Sequence, residues 1–220
     1  MPRYRICYSK TGPARYISHL DLVRELERAM RRAGLPVAFS GGFNPHPRFS
    51  FAAPLPVGVE GLAEFVDVEM THPVTPRELA GRLNEALPPG LAVREVVEVP
   101  AGTPALAAVL DRAVYHVEVD GDALPGMLPA GAVERFLAQE KIEVTRRGKR
   151  RDIRPGLLDL SVMSRDGGLA LRLELKTGGA INVRPEEAAE AFFRSAGLAV
   201  DAADMRITRA ELHWGGPPRP

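Results

Sequence analysis

The feature that most constrains this chain is the rhythm of its first hundred residues, where alternating and amphipathic runs follow one another in a fixed order. Arg3–Ser9 alternates, Tyr4, Ile6 and Tyr8 against Arg5, Cys7 and Ser9, which is the period of a half-buried strand. Ser18 with Asp21 three residues on is a helix start. Leu22, Val23, Leu26, Ala29, Met30 and Ala33 follow at helical spacing until Gly34. Val37–Ser40 reads as a short strand and Glu64–Met70 as a longer one. Thr75-Pro76-Arg77-Glu78 opens a second helix with an N-cap and a proline at its first position. Pro88-Pro89-Gly90 stops it, and Leu91–Val99 closes the series as a strand.

The order βαββαβ is the ferredoxin-like pattern. After a Pro/Ala/Gly connector near Pro100–Pro104 the order recurs with weaker signals: strands at Ala113–Val119, Ile142–Val144, Leu169–Leu175 and Met205–Trp214, helices at Ala132–Ala138 and Pro185–Ala196. The expected fold class is therefore α+β, with two tandem ferredoxin-like lobes at residues 1–100 and 105–215 and a disordered tail from Gly215. An apolar fraction of 45% and a charged fraction of 26% suit two small cores and exclude a disordered chain.

Net charge is only +1, yet residues 1–50 and 146–154 are locally basic, and local fields govern partner choice more than the sum does. Three segments could carry chemistry. Lys10, Arg15 and His19 surround the start of the first helix, where backbone N–H groups favour an anion; as a phosphate seat they compete with a plain N-cap and solvated charges. In Phe39–Phe51, Phe43, Asn44, His46 and Arg48 combine stacking faces, close backbone approach and a cation, or else the rings simply plug the core. Arg146, Arg147, Lys149, Arg150, Arg151 and Arg154 form a block suited to a phosphate backbone, to an acidic protein surface, or to a solvated hairpin tip. Glu64, Asp67 and Glu69 read as the solvated face of their strand.

Chemistry of other kinds is scarce. One cysteine, Cys7, excludes an internal disulfide and a cysteine-ligated cluster made by this chain alone. The five histidines have no metal-ligand spacing, and no nucleophile elbow, P-loop or dinucleotide fingerprint occurs. No catalytic residue, metal or cofactor is expected. With no signal peptide and no apolar run near 20 residues, no membrane association is expected and the cytoplasm is the expected compartment.

The string Tyr8-Ser9-Lys10 through Arg15-Tyr16-Ile17-Ser18-His19-Leu20-Asp21, then Phe39-Ser40-Gly41-Gly42-Phe43-Asn44-Pro45-His46-Pro47, resembles the radical-SAM-linked protein family. Arg150-Arg151-Asp152-Ile153-Arg154-Pro155 is similar to its second signature. The family is a bacterial domain of unknown function found beside, or fused to, a radical-SAM protein of the cobalamin-binding type. The resemblance implies an accessory to a radical-SAM enzyme acting in RNA or ribosome biology. With the three basic segments, the leading expectation is a non-catalytic subunit that binds RNA (tRNA or rRNA) and presents it, or a ribosomal substrate, to that partner. The alternatives are a protein-interaction adaptor without RNA contact and a metal-independent endoribonuclease with His19 as base.

Overall fold

The computed structural model describes residues 1–165, 167–179 and 181–215, and divides them into two compact units, Met1–Leu110 with Trp214, and Asp111–His213. Of the tail expected from Gly215, residues 216–220 lie outside the described residues. The class is α+β.

The first unit runs β1 (Arg3–Lys10), α1 (His19–Arg32), β2 (Phe49–Phe51), β3 (Glu60–Glu69), α2 (Pro76–Ala86), β4 (Leu91–Glu98) and a single turn, α3 (Leu106–Val109). Its strands lie in the order β4-β1-β3-β2, every neighbouring pair antiparallel. Both helices begin as the sequence predicts: the Ser18 hydroxyl accepts from Asp21 N–H and the Thr75 hydroxyl from Glu78 N–H. Tyr4, Ile6 and Tyr8 of β1 meet Leu22, Leu26 and Met30 of α1, Val66 and Val68 of β3, and Leu79 and Leu83 of α2 in one core. Each such side chain contributes about 1.5–3 kcal/mol on burial. Packing of this size, rather than helix propensity, holds α1 in place.

The second strand is not the one expected. Val37–Ser40 makes only isolated bridges, Val37 with Met70 and Phe39 with Pro47. The paired strand is β2, whose Phe49 and Phe51 stand opposite Val68 and Val66. Glycines and prolines at 41–47 carry the chain out as a loop before it can pair.

The second unit runs β5 (Leu110–Asp120), α4 (Ala132–Leu137), β6 (Glu143–Arg146), β7 (Lys149–Asp152), β8 (Leu157–Arg165), β9 (Gly168–Lys176), α5 (Pro185–Ser195) and β10 (Met205–Trp214). Its sheet order is β10-β5-β9-β8, and β6 and β7 form a separate two-stranded hairpin. The strand expected at Ile142–Val144 thus belongs to that hairpin and not to the sheet. The sheet strand in its place is β8, unread in the sequence because a bulge between Leu157 and Asp159 interrupts the alternation. Ala113, Tyr115 and Val117 of β5 oppose Leu175, Leu173 and Leu171 of β9, and Phe136 of α4 meets Phe192 of α5 with ring centres 5.4 Å apart.

Candidate nucleic-acid interface

At the start of α1, Lys10, Arg15 and His19 do come together, but not as a phosphate seat. Lys10 is the last residue of β1 on its core side and is 1% exposed. Its Nζ donates to the carbonyl oxygens of Ile17 (2.9 Å) and Arg15 (3.3 Å), stitching the turn at Gly12–Tyr16 onto the strand end. Arg15 donates to the Tyr16 hydroxyl (2.5 Å) and lies 3.6 Å from Glu60. His19 is half-buried, its ring edge-on to Phe51 at 4.8 Å. Burial first, and the Lys10 charge second, hold its imidazole below the ordinary value of 6.5, so it is neutral at pH 7. The cations are consumed by the fold.

The outer face of α1 is neutralised in the same way. Arg24 pairs with Asp21 (3.3 Å), Arg28 with Glu25, and Arg31 with Glu27 (2.8 Å), all within one helical turn. Arg5, counted in the basic excess of the first fifty residues, is buried in a two-pronged pair with Asp67 (2.8 and 3.1 Å). This corrects the expected solvated acidic face: Asp67 and Glu64 are each 1% exposed. The arginine partner of Asp67 lies 62 residues away, a separation no local pattern reports.

The loop between α1 and β2 is closed at a neck. Ser40 N–H donates to His46 O (2.8 Å), and His46 N–H donates to the Ser40 hydroxyl (3.0 Å). Beyond the neck Phe43, Asn44 and His46 are exposed, Phe43 completely, whereas Phe49 and Phe51 pack on the core. Arg48, below the neck, is paired with Glu69 at 3.0 Å. The loop therefore presents a ring rather than a charge. Tyr16, Leu20 and Val57 are further exposed apolar side chains of this unit that sequence reasoning did not single out.

The β6–β7 hairpin of the second unit differs. Arg147 and Gly148 both have positive φ (52° and 73°), as a two-residue primed hairpin turn requires. Arg147 is the one non-glycine residue with positive φ among the described residues. Two residues of the basic block are structural. The Arg154 guanidinium donates to the carbonyls of Leu137 (2.9 Å), Leu157 (3.0 Å) and Gln139 (3.1 Å), and Arg146 forks onto Glu187 of α5, with Nε at 2.6 Å. Neither is available to a ligand, which corrects their assignment as phosphate contacts. Asp152 fastens the hairpin base by accepting from Ile142 N–H (2.9 Å) and Arg154 N–H (3.0 Å), and the Ile142 bond above all holds its carboxyl below the ordinary range.

What remains is exposed. The side chains of Arg147, Lys149 and Arg151 have no hydrogen-bond or carboxylate partner among the described residues, and Arg150 is only 3.8 Å from a Glu143 already held by Lys141 at 2.6 Å. Arg151 stands opposite Val144 and Lys149 opposite Arg146, so no acid lies directly across from either. Among the described residues no three His, Cys, Asp or Glu side chains gather as a metal site would need, and no helix is long and apolar enough to cross a membrane.

Residues 3–185 match the family model described as "Uncharacterized protein conserved in bacteria (DUF2344)". The chain belongs to this family. The matched span includes Lys10, the Phe43 loop and the whole β6–β7 hairpin. No curated protein matches the chain in sequence. Among solved structures, "Crystal Structure of an Unknown Protein from Galdieria sulphuraria" is 14% identical over 98% of this chain and 99% of that one, with a TM-score of 0.28. "Crystal structure of putative glycine cleavage system transcriptional repressor" is 12% identical over 98% of each chain, with a TM-score of 0.22. At TM-scores this low, neither likeness informs fold or function.

Proposed function

We propose that this chain is a non-catalytic RNA-binding subunit that presents an RNA or a ribosomal substrate to a radical-SAM enzyme. One observation carries the RNA half: the side chains of Arg147, Lys149 and Arg151 project from a braced hairpin without partners among the described residues, while Arg24, Arg28 and Arg31 of α1 are matched to acids of their own helix. Unpaired cations neutralise phosphates at no cost of breaking ion pairs, and the counterions released drive association. Arg147 adds weight. A left-handed arginine costs about 1–2 kcal/mol, a strain that accumulates where function requires it. The exposed Phe43 ring, with Asn44 and His46 beside it, would stack on an unpaired base. The radical-SAM half rests on the resemblance of the two signatures.

We also read both units as ferredoxin-like. The orders β4-β1-β3-β2 and β10-β5-β9-β8, with helices after the first and third sheet strands of each unit, support that reading.

An electrophoretic shift with structured RNA at two salt concentrations tests the RNA half. Binding that weakens steeply with salt, and is lost when Arg147, Lys149 and Arg151 become glutamate, is expected. A folded chain that shifts no RNA at low salt ends the proposal. For the partner half, the chain should co-purify with the radical-SAM protein; its consistent absence from such a complex would contradict it.

A further inference from the structure

Resting on the RNA reading, we infer that the β6–β7 hairpin recognises the duplex form of RNA, through its phosphates and without regard to base sequence. The composition of the hairpin argues first. Glu143–Asp152 contains no aromatic ring on which a base could stack and no Asn or Gln amide to read a base edge. Arginine planes aside, what it offers an unfolded strand is charge and not a ring.

The second argument is geometric. Lys149 and Arg151 are two residues apart on β7 and so share one face, separated by about 6.6 Å at the strand rise. Arg147 stands at the tip, and Arg150 faces the other way. The cations form a row rather than a pocket, a shape that follows a line of phosphates.

The third concerns ordering. The ribbon is braced at its base by Asp152 and Arg154 and along β6 by Arg146 on Glu187, so little freedom is lost when it docks. A duplex is equally rigid and carries twice the phosphate charge per length of axis that one of its strands carries in the same helix. A single strand would have to be ordered against the hairpin with no aromatic ring to offset that loss. Rigid cations without rings therefore select the helix.

The experiment is fluorescence anisotropy on the full chain with a blunt RNA duplex of about 16 base pairs and arbitrary sequence, and with each of its strands alone, chosen not to self-pair. The duplex is expected to bind at least ~10-fold more tightly than either strand. A second duplex of permuted sequence should bind within about 2-fold of the first. The Arg147→Gln, Lys149→Gln, Arg151→Gln triple variant, its fold checked by circular dichroism, should lose the duplex preference. Strands binding as well as the duplex, with the triple variant still weakened, would overturn this inference and leave the RNA reading standing. A duplex preference that survives in the triple variant would also overturn it, because the hairpin would not be the reader. A folded wild type that binds neither probe overturns both.

Discussion

The start of α1 and the β6–β7 hairpin are both basic in sequence, and the structure treats them in opposite ways. On α1 every third or fourth position offers an arginine its own carboxylate, Asp21 to Arg24, Glu25 to Arg28 and Glu27 to Arg31, and beneath it Lys10 is spent on two carbonyls. On the hairpin, Lys149 and Arg151 face Arg146 and Val144 instead, and the anchoring is done by Asp152, Arg146 and Arg154. Helical periodicity pairs opposite charges along one element, whereas a short ribbon crowds like charges together. Basic composition therefore predicts a ligand only where the local geometry withholds the counter-charge.

The comparison can be broken at Lys10 first. Lys10→Met leaves two carbonyls of the turn without their donor and disturbs a buried charged neighbourhood, an expected loss of about 3 kcal/mol in urea unfolding. RNA affinity of the folded protein should not change. A Lys10→Met protein of wild-type stability but weakened RNA binding would return Lys10 to the ligand surface.

Arg154→Ala, the structural counterpart in the second unit, should cost about 2 kcal/mol, since three carbonyls lose a charged donor. Amide exchange in β6 and β7 should rise with it. An unchanged exchange pattern would show that Arg154 does not brace the hairpin.

Arg147→Asn sharpens the distinction between strain and function. Asparagine tolerates the left-handed conformation, so stability should rise by about 0.5–1 kcal/mol while RNA affinity falls roughly 3- to 10-fold. A rise in stability with affinity intact would reduce Arg147 to a turn residue.

The smallest effect is at His19. Its folded-state pKa is depressed, so the unfolded chain takes up the proton more readily. The neutral ring's contribution is complete above the ordinary 6.5 and declines as pH falls through that value toward the folded pKa. Stability measured across this window should fall with acid in the wild type, and less so in His19→Gln. Identical profiles would remove the burial and the Lys10 charge as the cause.

Much of this was legible in the sequence, for reasons visible at particular residues. The alternation of Tyr4, Ile6 and Tyr8, the caps at Ser18 and Thr75, and the strict alternation of β9 each act within a few residues. β2 escaped because three residues show no period, and β8 because its bulge breaks one. The exposure of Phe43, Asn44 and His46 could be anticipated from glycines and prolines. Which cations stay free could not, because the decisive partners are far away in the chain: Asp67 for Arg5, Glu187 for Arg146, and the carbonyls of Leu137 and Gln139 for Arg154.

The most direct measurement is the salt dependence of structured-RNA affinity for two matched charge reversals, Arg147, Lys149 and Arg151 to glutamate against Arg24, Arg28 and Arg31 to glutamate. The hairpin set should flatten the slope of log K against log salt by about 2 to 3, and the α1 set should leave the slope nearly as it was. Equal flattening by both sets, or flattening by the α1 set alone, would contradict the account.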